Sequence, residues 1–282
     1  MRLATITDGD VESAVLVDPA RGVVPAADLA DWATGDLLAL IRGGRVGELQ
    51  ALAADAPDRA FRAREEVTFT APYRHPRLIW GIGLNYMDHA ADLSESVPEE
   101  PASFIKGDHT IIGPGDPIPL PPQSLRTTSE AEMGIVIGRY CRDVSEEEAL
   151  EHVLGVVPVL DQTAEDILQR NPRFLTRSKN FPGFFSFGPE IVPLDEAVAH
   201  AGSLADVEVS TVVNDTERRT NTVSHMRFSP AFLISFHSRV MPLQPGDILS
   251  PGTPGAIHVR PGDVAECRIP GVGTLRNPVV QG

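Results

Sequence analysis

Short apolar-rich runs of strand length, separated by polar turn residues, prolines and glycines, recur along much of the 282-residue chain, the pattern of β-strands. "MRLATI" and "SAVLVD" read as two short strands around a "DGD" turn. "DLADWATGDLLALIRGG" and "VGELQALAADA" then change to helical spacing, the first closing at Gly43 and Gly44. At "APYRHPRLIWGIGLNY" prolines enter and residues 78 to 82 read as a strand. From there "GIVIG", "LGVVPVLD", "VEVSTVVND" and "DVAECRIPGVGTL" recur as β-type runs between prolines and glycines. Two helical stretches interrupt them: "SEEEALEHVLG" with Ser145 as N-cap, and "SPAFLISFHSRV" with Ser229 as N-cap. There is no internal repeat and no low-complexity tract. The pattern predicts a mostly β fold with α+β elements, divided into a small N-terminal α+β domain (residues 1–72) and a mostly β body (residues 73–282).

Composition narrows the partners. Hydrophobic residues make up 42% and charged residues 22%, ordinary for a globular protein. The net charge of −15 argues against nucleic acid or an anionic membrane surface as partner. It leaves room for an anionic substrate, because a bound cation reverses the field locally. The two cysteines, Cys141 and Cys267, make neither a metal pair nor a disulfide framework. With no apolar signal-peptide core in "MRLATITDGD" and no apolar run of bilayer length, the expected setting is reducing and cytoplasmic.

"SEAEMGIVIG" breaks the apolar pattern. As a strand it places Glu130, Glu132, Gly134 and Val136 on one face and Ala131, Met133, Ile135 and Ile137 on the other. Carboxylates two apart lie roughly 6.6 Å apart along a strand, so their side chains can converge on one point. Unpaired they repel, and a hard divalent cation bound through oxygen removes the repulsion. The plain alternative is a solvated face carrying two ordinary glutamates. "VLGVVPVLD" stays apolar until Asp161, which is either a cap for the helix in "QTAEDILQRN" or a third oxygen ligand. Three acids leave open positions on an octahedral ion of the Mg²⁺ or Mn²⁺ kind.

His89 and Asp92, three apart in "GLNYMDHAADLSE", share one side of a helical turn, and a carboxylate beside an imidazole suits a general base. A surface helix pair is the bland alternative. Lys179, in "TRSKNF", is either an oxyanion ligand near a metal or a solvated loop lysine. Thr253 sits in "LQPGDILSPGTPGAI", a double turn whose rigid Pro/Gly geometry can hold a hydroxyl toward a pocket. "WGIG" is not a dinucleotide fingerprint: Tyr86 stands where the third glycine belongs, and no βαβ pattern surrounds it.

In this order the segments resemble the fumarylacetoacetate hydrolase family, over roughly residues 75 to 280, including its 2-hydroxyhepta-2,4-diene-1,7-dioate isomerase-like branch. "GIGLNYMDHAAD" is similar to the family's G-x-N-Y-x-x-H-x-x-E segment, and "EAEMGIVIG" to its E-x-E metal strand. "VVPVLDQTAED" corresponds to the strand and turn of the third metal acid, "RSKNFPGFFSFGP" to the lysine loop, and "LQPGDILSPGTPGAI" to the G-T-P turn. The resemblance implies a mixed β-roll with a pseudo-barrel core and one divalent ion per subunit. That ion is Mg²⁺ or Mn²⁺, with Ca²⁺ a further candidate, held by Glu130, Glu132 and Asp161. It also implies His89 with Asp92 as water-activating pair, on a lid spanning about residues 87 to 103. Lys179 would be catalytic, with Tyr86, Thr253 and Lys106 as substrate contacts, in a homodimer.

Three positions depart from the family pattern. The acid paired with the histidine is Asp92 rather than Glu, with Glu95 as a substitute partner. The usual substrate-binding arginine and glutamine after the metal aspartate are replaced by Glu165 and Leu168, so the carboxylate clamp is either absent or moved to Arg170 or Arg177. The implied activity is C–C hydrolysis of a β-diketone or 2-oxo acid of the acylpyruvate kind, through a metal-stabilised enolate. Decarboxylation of a 2-oxo acid and keto–enol or 2-hydroxy-dienoate isomerisation use the same scaffold and stay open, as does a member that binds without catalysis.

Overall fold

The computed structural model describes residues 1–9, 11–87 and 98–282. Their strands form three sheets. In the first, Arg2–Asp8 pairs with Val11–Asp18, Thr68–Phe69 and Glu190–Ile191, and Gly22–Pro25 extends the far edge. Residues 1–72 thus supply all but one strand of this sheet. The remaining strand comes from the body, where buried Glu190 pairs with Arg2 and with Arg64.

The central sheet is mixed. Its order runs Ala102–Lys106, Ile79–Gly83, Ile248–Ser250, Thr127–Ile137, Val153–Ala164, Phe185–Phe187 and Ile111–Ile112. Ala256–His258 pairs with the first residues of Thr127–Ile137, so that long strand is flanked along its whole length. A third sheet of Thr216–Thr222, Glu208–Val213, Val264–Ile269, Gly273–Gln281 and Ile118–Leu120 packs against it. The mostly β architecture with α+β elements agrees with the sequence pattern.

Every residue of Thr127–Ile137 is buried, which removes the solvated-face reading of its glutamates. The reason is two-sided packing. Val136, Val157 and Val159 belong to a cluster that also holds Leu3, Leu16 and Leu37 of the N-terminal segment, while Ala131, Met133 and Leu160 pack on the third sheet. Ile135 and Ile137 lie beneath the helix Pro230–Val240. Gly134 is required here, because a Cβ at that point would come 2.7 Å from Val159 Cγ2.

The two caps behave as the sequence predicts. Ser145 forms a capping box with Glu148 at the start of Glu146–Ala149, and Ser229 accepts the Phe232 N–H. The expected helix over residues 28 to 44 divides instead into Ala26–Leu29 and Leu37–Arg42. Asp36 starts the second piece by accepting the Ala39 N–H at 2.7 Å, a strong local N-cap that overrides continuous periodicity.

Candidate metal centre

The central hairpin places Glu130 directly opposite Asp161 and Glu132 opposite Val159. One ligand oxygen each from Glu130, Glu132 and Asp161 lies within 4.8 Å of the others, and all three side chains are buried. Strand Val153–Ala164 continues three residues beyond Asp161, so this aspartate does not cap the helix Glu165–Arg170. Its carboxylate turns inward to two lysines.

Lys179 ends the helix Leu175–Lys179 and donates to Asp161 Oδ2 at 2.6 Å and Glu130 Oε2 at 2.9 Å. Lys106 ends the edge strand Ala102–Lys106 and donates to Asp161 Oδ1 at 2.5 Å and to the Lys179 main-chain oxygen. Burial pulls both ammonium groups toward the neutral form. At Lys179 the facing Asp161 and Glu130 outweigh that and raise its pKa, whereas at Lys106 burial prevails over Asp161 and the pKa is lowered.

Each glutamate has its own set of donors. Glu130 Oε1 accepts from Thr163 Oγ1 at 2.5 Å and Thr128 Oγ1 at 3.2 Å. Glu132 Oε2 accepts from Ser250 Oγ at 2.6 Å and the Gly252 N–H at 2.8 Å. Asn85 braces that turn: its Nδ2 donates to Pro251 O at 2.7 Å and Phe228 O at 3.0 Å, and its Oδ1 accepts the Phe228 N–H.

This donor set fits a hard divalent cation. Three carboxylates face two lysines, so negative charge is left uncompensated. Burial, reinforced by Asp161 and only partly offset by Lys179, pushes the Glu132 carboxyl up to about 8, the response of a buried acid beside a like charge. Oxygen donors alone, in an enclosed volume, suit Mg²⁺, Mn²⁺ or Ca²⁺ rather than a soft metal. Among the described residues this is the one group of three or more His, Cys, Asp or Glu side chains with such spacing.

The other sequence-predicted residues distribute unevenly. Tyr86 is fully buried, with no hydrogen-bond partner for its hydroxyl among the described residues, and burial and then Glu132 push its pKa up. Thr253 is buried, and its hydroxyl accepts from the Gly255 N–H at 3.2 Å. Lys106, read from the resemblance as a substrate contact, is enclosed and bonded to protein groups. Arg177 is exposed, with its guanidinium 5.8 Å over the Phe174 ring. Arg170 reaches Asp166 at 3.3 Å, and Glu165 accepts from Arg126 at 2.5 Å. His89, Asp92 and Glu95 lie outside the described residues. Sequence reasoning missed Asn85, Thr128, Thr163 and Ser250. Only Asn85 carried a signal, as the neighbour of Tyr86 in "GLNY".

The fumarylacetoacetate (FAA) hydrolase C-terminal family model matches residues 78–280. The 4-hydroxyphenylacetate degradation bifunctional isomerase/decarboxylase of Salmonella dublin is 39% identical over 214 residues, covering 76% of this chain and 49% of that protein. The mitochondrial oxaloacetate tautomerase of Xenopus laevis is 33% identical over 227 residues, covering 77% and 70%. Among solved structures, maleylpyruvate hydrolase from Sphingobium sp. SYK-6, in complex with manganese (II) ion and pyruvate, superposes with a TM-score of 0.80 at 27% identity, covering 100% of both chains. The relatives are enzymes of several reaction types, and no described helix is long and apolar enough to cross a membrane. The chain belongs to the fumarylacetoacetate hydrolase family.

Proposed function

We propose that this protein is a divalent-metal-dependent hydrolase that cleaves a C–C bond of a β-diketone or 2-oxo acid of the acylpyruvate kind. The observation that carries the reading is the convergence of Glu130, Glu132, Asp161 and Lys179 in one enclosed volume. Glu130, Glu132 and Asp161 would hold Mg²⁺ or Mn²⁺. When bound, the cation supplies Lewis acidity toward the oxygens of a 2-oxo carboxylate. Lys179 has three N–H donors. Two are engaged by Asp161 and Glu130, and the third serves a substrate oxygen as negative charge develops on it. His89, oriented by Asp92, takes the proton of the attacking water. Tyr86 and Thr253 contact the substrate from the buried wall. With Glu165 tied to Arg126 and Arg177 at the surface, a bulkier or less acidic 2-oxo compound suits the site better than a small diacid. Substrate turnover occurs in a cytoplasmic homodimer, whose mass light scattering would report.

The names of the tautomerase and isomerase/decarboxylase relatives favour a second reading. In it the same residues promote enolisation or decarboxylation with no attacking water. The deciding experiment assays acylpyruvates and 2-oxo diacids with Mg²⁺ or Mn²⁺ in ¹⁸O-labelled water. Label in the new carboxylate of the acid released from the acyl side supports hydrolysis. Turnover without label in such a carboxylate supports the second reading, and a protein that binds no divalent ion and turns over nothing overturns both.

A further inference from the structure

We propose that Ser250, together with the Gly252 backbone N–H, restricts Glu132 to a single ligand oxygen and so tunes the centre to a small six-coordinate cation, Mg²⁺ or Mn²⁺, in preference to Ca²⁺. The inference rests on the metal reading above.

A carboxylate oxygen has two lone-pair directions. Those of Glu132 Oε2 are both taken, by Ser250 Oγ at 2.6 Å and the Gly252 N–H at 2.8 Å. Glu130 repeats the arrangement, with two threonine hydroxyls on Oε1. Neither glutamate offers both oxygens to one cation without giving up these bonds. Ca²⁺ takes about six to eight oxygens and commonly uses bidentate carboxylates, whereas Mg²⁺ asks for about six at shorter distance, several of them water or substrate. Single oxygens from Glu130, Glu132 and Asp161 match the second demand.

The donors cannot turn away. Ser250 is fully enclosed and lies in the strand Ile248–Ser250 opposite Gly81. Gly252 has φ +110°, and a Cβ there would stand 3.0 Å from Asn85 Cβ and 3.3 Å from Ile82 O. Asn85 ties down Pro251 between them. A buried strand position is filled as well by alanine or valine, and the Ser250 hydroxyl makes its bond to Glu132. Ser250 is therefore a positioning residue acting through Glu132.

The test titrates metal-free full-length protein with MnCl₂ and with CaCl₂ by calorimetry, for the wild type, Ser250→Ala and Ser250→Thr. Ser250→Ala is expected to weaken Mn²⁺ by roughly tenfold, the usual size for loss of a group that orients a ligand. Ca²⁺ should hold or tighten, so the Mn²⁺-to-Ca²⁺ affinity ratio falls. Ser250→Thr, which keeps the hydroxyl, should retain the wild-type ratio. An unchanged ratio in Ser250→Ala, with both ions weakened equally or neither affected, overturns the proposal, as does a wild type that prefers Ca²⁺. A wild type that binds neither ion removes the metal reading itself, and this inference with it.

Discussion

Glu130 and Asp161 face each other across the central antiparallel hairpin, and one ammonium group, Lys179 Nζ, reaches a carboxylate oxygen of each. The pair comes from strands that would otherwise be continuous core, so charge is concentrated where burial makes every electrostatic contact stronger.

Replacing Glu132 with alanine removes one of the three carboxyl ligands while relieving Asp161 of a buried acidic neighbour. Mn²⁺ affinity in Glu132→Ala should fall far more than the denaturant midpoint of the metal-free protein. Calorimetry showing wild-type Mn²⁺ affinity would place the metal elsewhere.

Lys106 is a strut. Lys106→Met would leave Asp161 Oδ1 and the Lys179 carbonyl without this donor in a place water does not reach. The expected loss is about 2–5 kcal/mol of stability, measured by urea unfolding. A change below about 0.5 kcal/mol would mean that the ammonium's bonds are replaced without cost.

His237 predicts a pH effect remote from the metal. Its Nδ1 faces Leu233 O at 2.8 Å, its ring meets Trp80 edge-on at 4.4 Å, and Nε2 has no partner among the described residues. Burial lowers its pKa below the ordinary 6.5, against a smaller opposing contribution from Leu233. Below pH 6.5 the unfolded chain therefore takes up a proton that the folded one refuses. Stability from this group is complete above that pH and is lost as pH falls toward the folded value. His237→Leu should flatten the decline in unfolding free energy between pH 6.5 and 5, and an identical slope in both proteins would assign the decline to other groups.

How far this was legible in the sequence follows from the range of each interaction. Glu130 and Glu132 could be paired because strand alternation is local, and Asp161 because an acid ended an apolar run. The meeting of Lys106 with Asp161 is not local: it joins an edge strand to a strand 55 residues later, and nothing in "SFIKGD" records it. Ser250 and Thr163 look like any strand hydroxyl until the fold supplies a carboxylate. Arg177 is a candidate carboxylate clamp because Glu165 and Leu168 replace the family's arginine and glutamine, but in the helix Leu175–Lys179 positions two apart point to different sides, and Arg177 is exposed while Lys179 is buried. The single helix expected over residues 28 to 44 failed for a related reason, since periodicity does not see that Asp36 begins a new helix.

The last prediction separates hydrolysis from reactions that need no attacking water, and it turns on His89. If His89 deprotonates that water, His89→Gln should slow C–C hydrolysis of an acylpyruvate by roughly 10²–10⁴-fold, the usual contribution of a general base. Metal binding should survive, because the carboxylates of Glu130, Glu132 and Asp161 are held by Lys106, Lys179, Thr163 and Ser250. Decarboxylation of a 2-oxo diacid requires no hydroxide, so the same variant should lose much less on that substrate. Asp92→Asn should fall between the wild type and His89→Gln on the acylpyruvate, since an acid that only orients and polarises an imidazole contributes less than the imidazole itself. Both variants are to be assayed on both substrates after Mn²⁺ occupancy has been measured. Equal losses on the two substrates would end the water-activating role and leave His89 as a binding residue, and with it the tautomerase or decarboxylase reading would become the better account of the site.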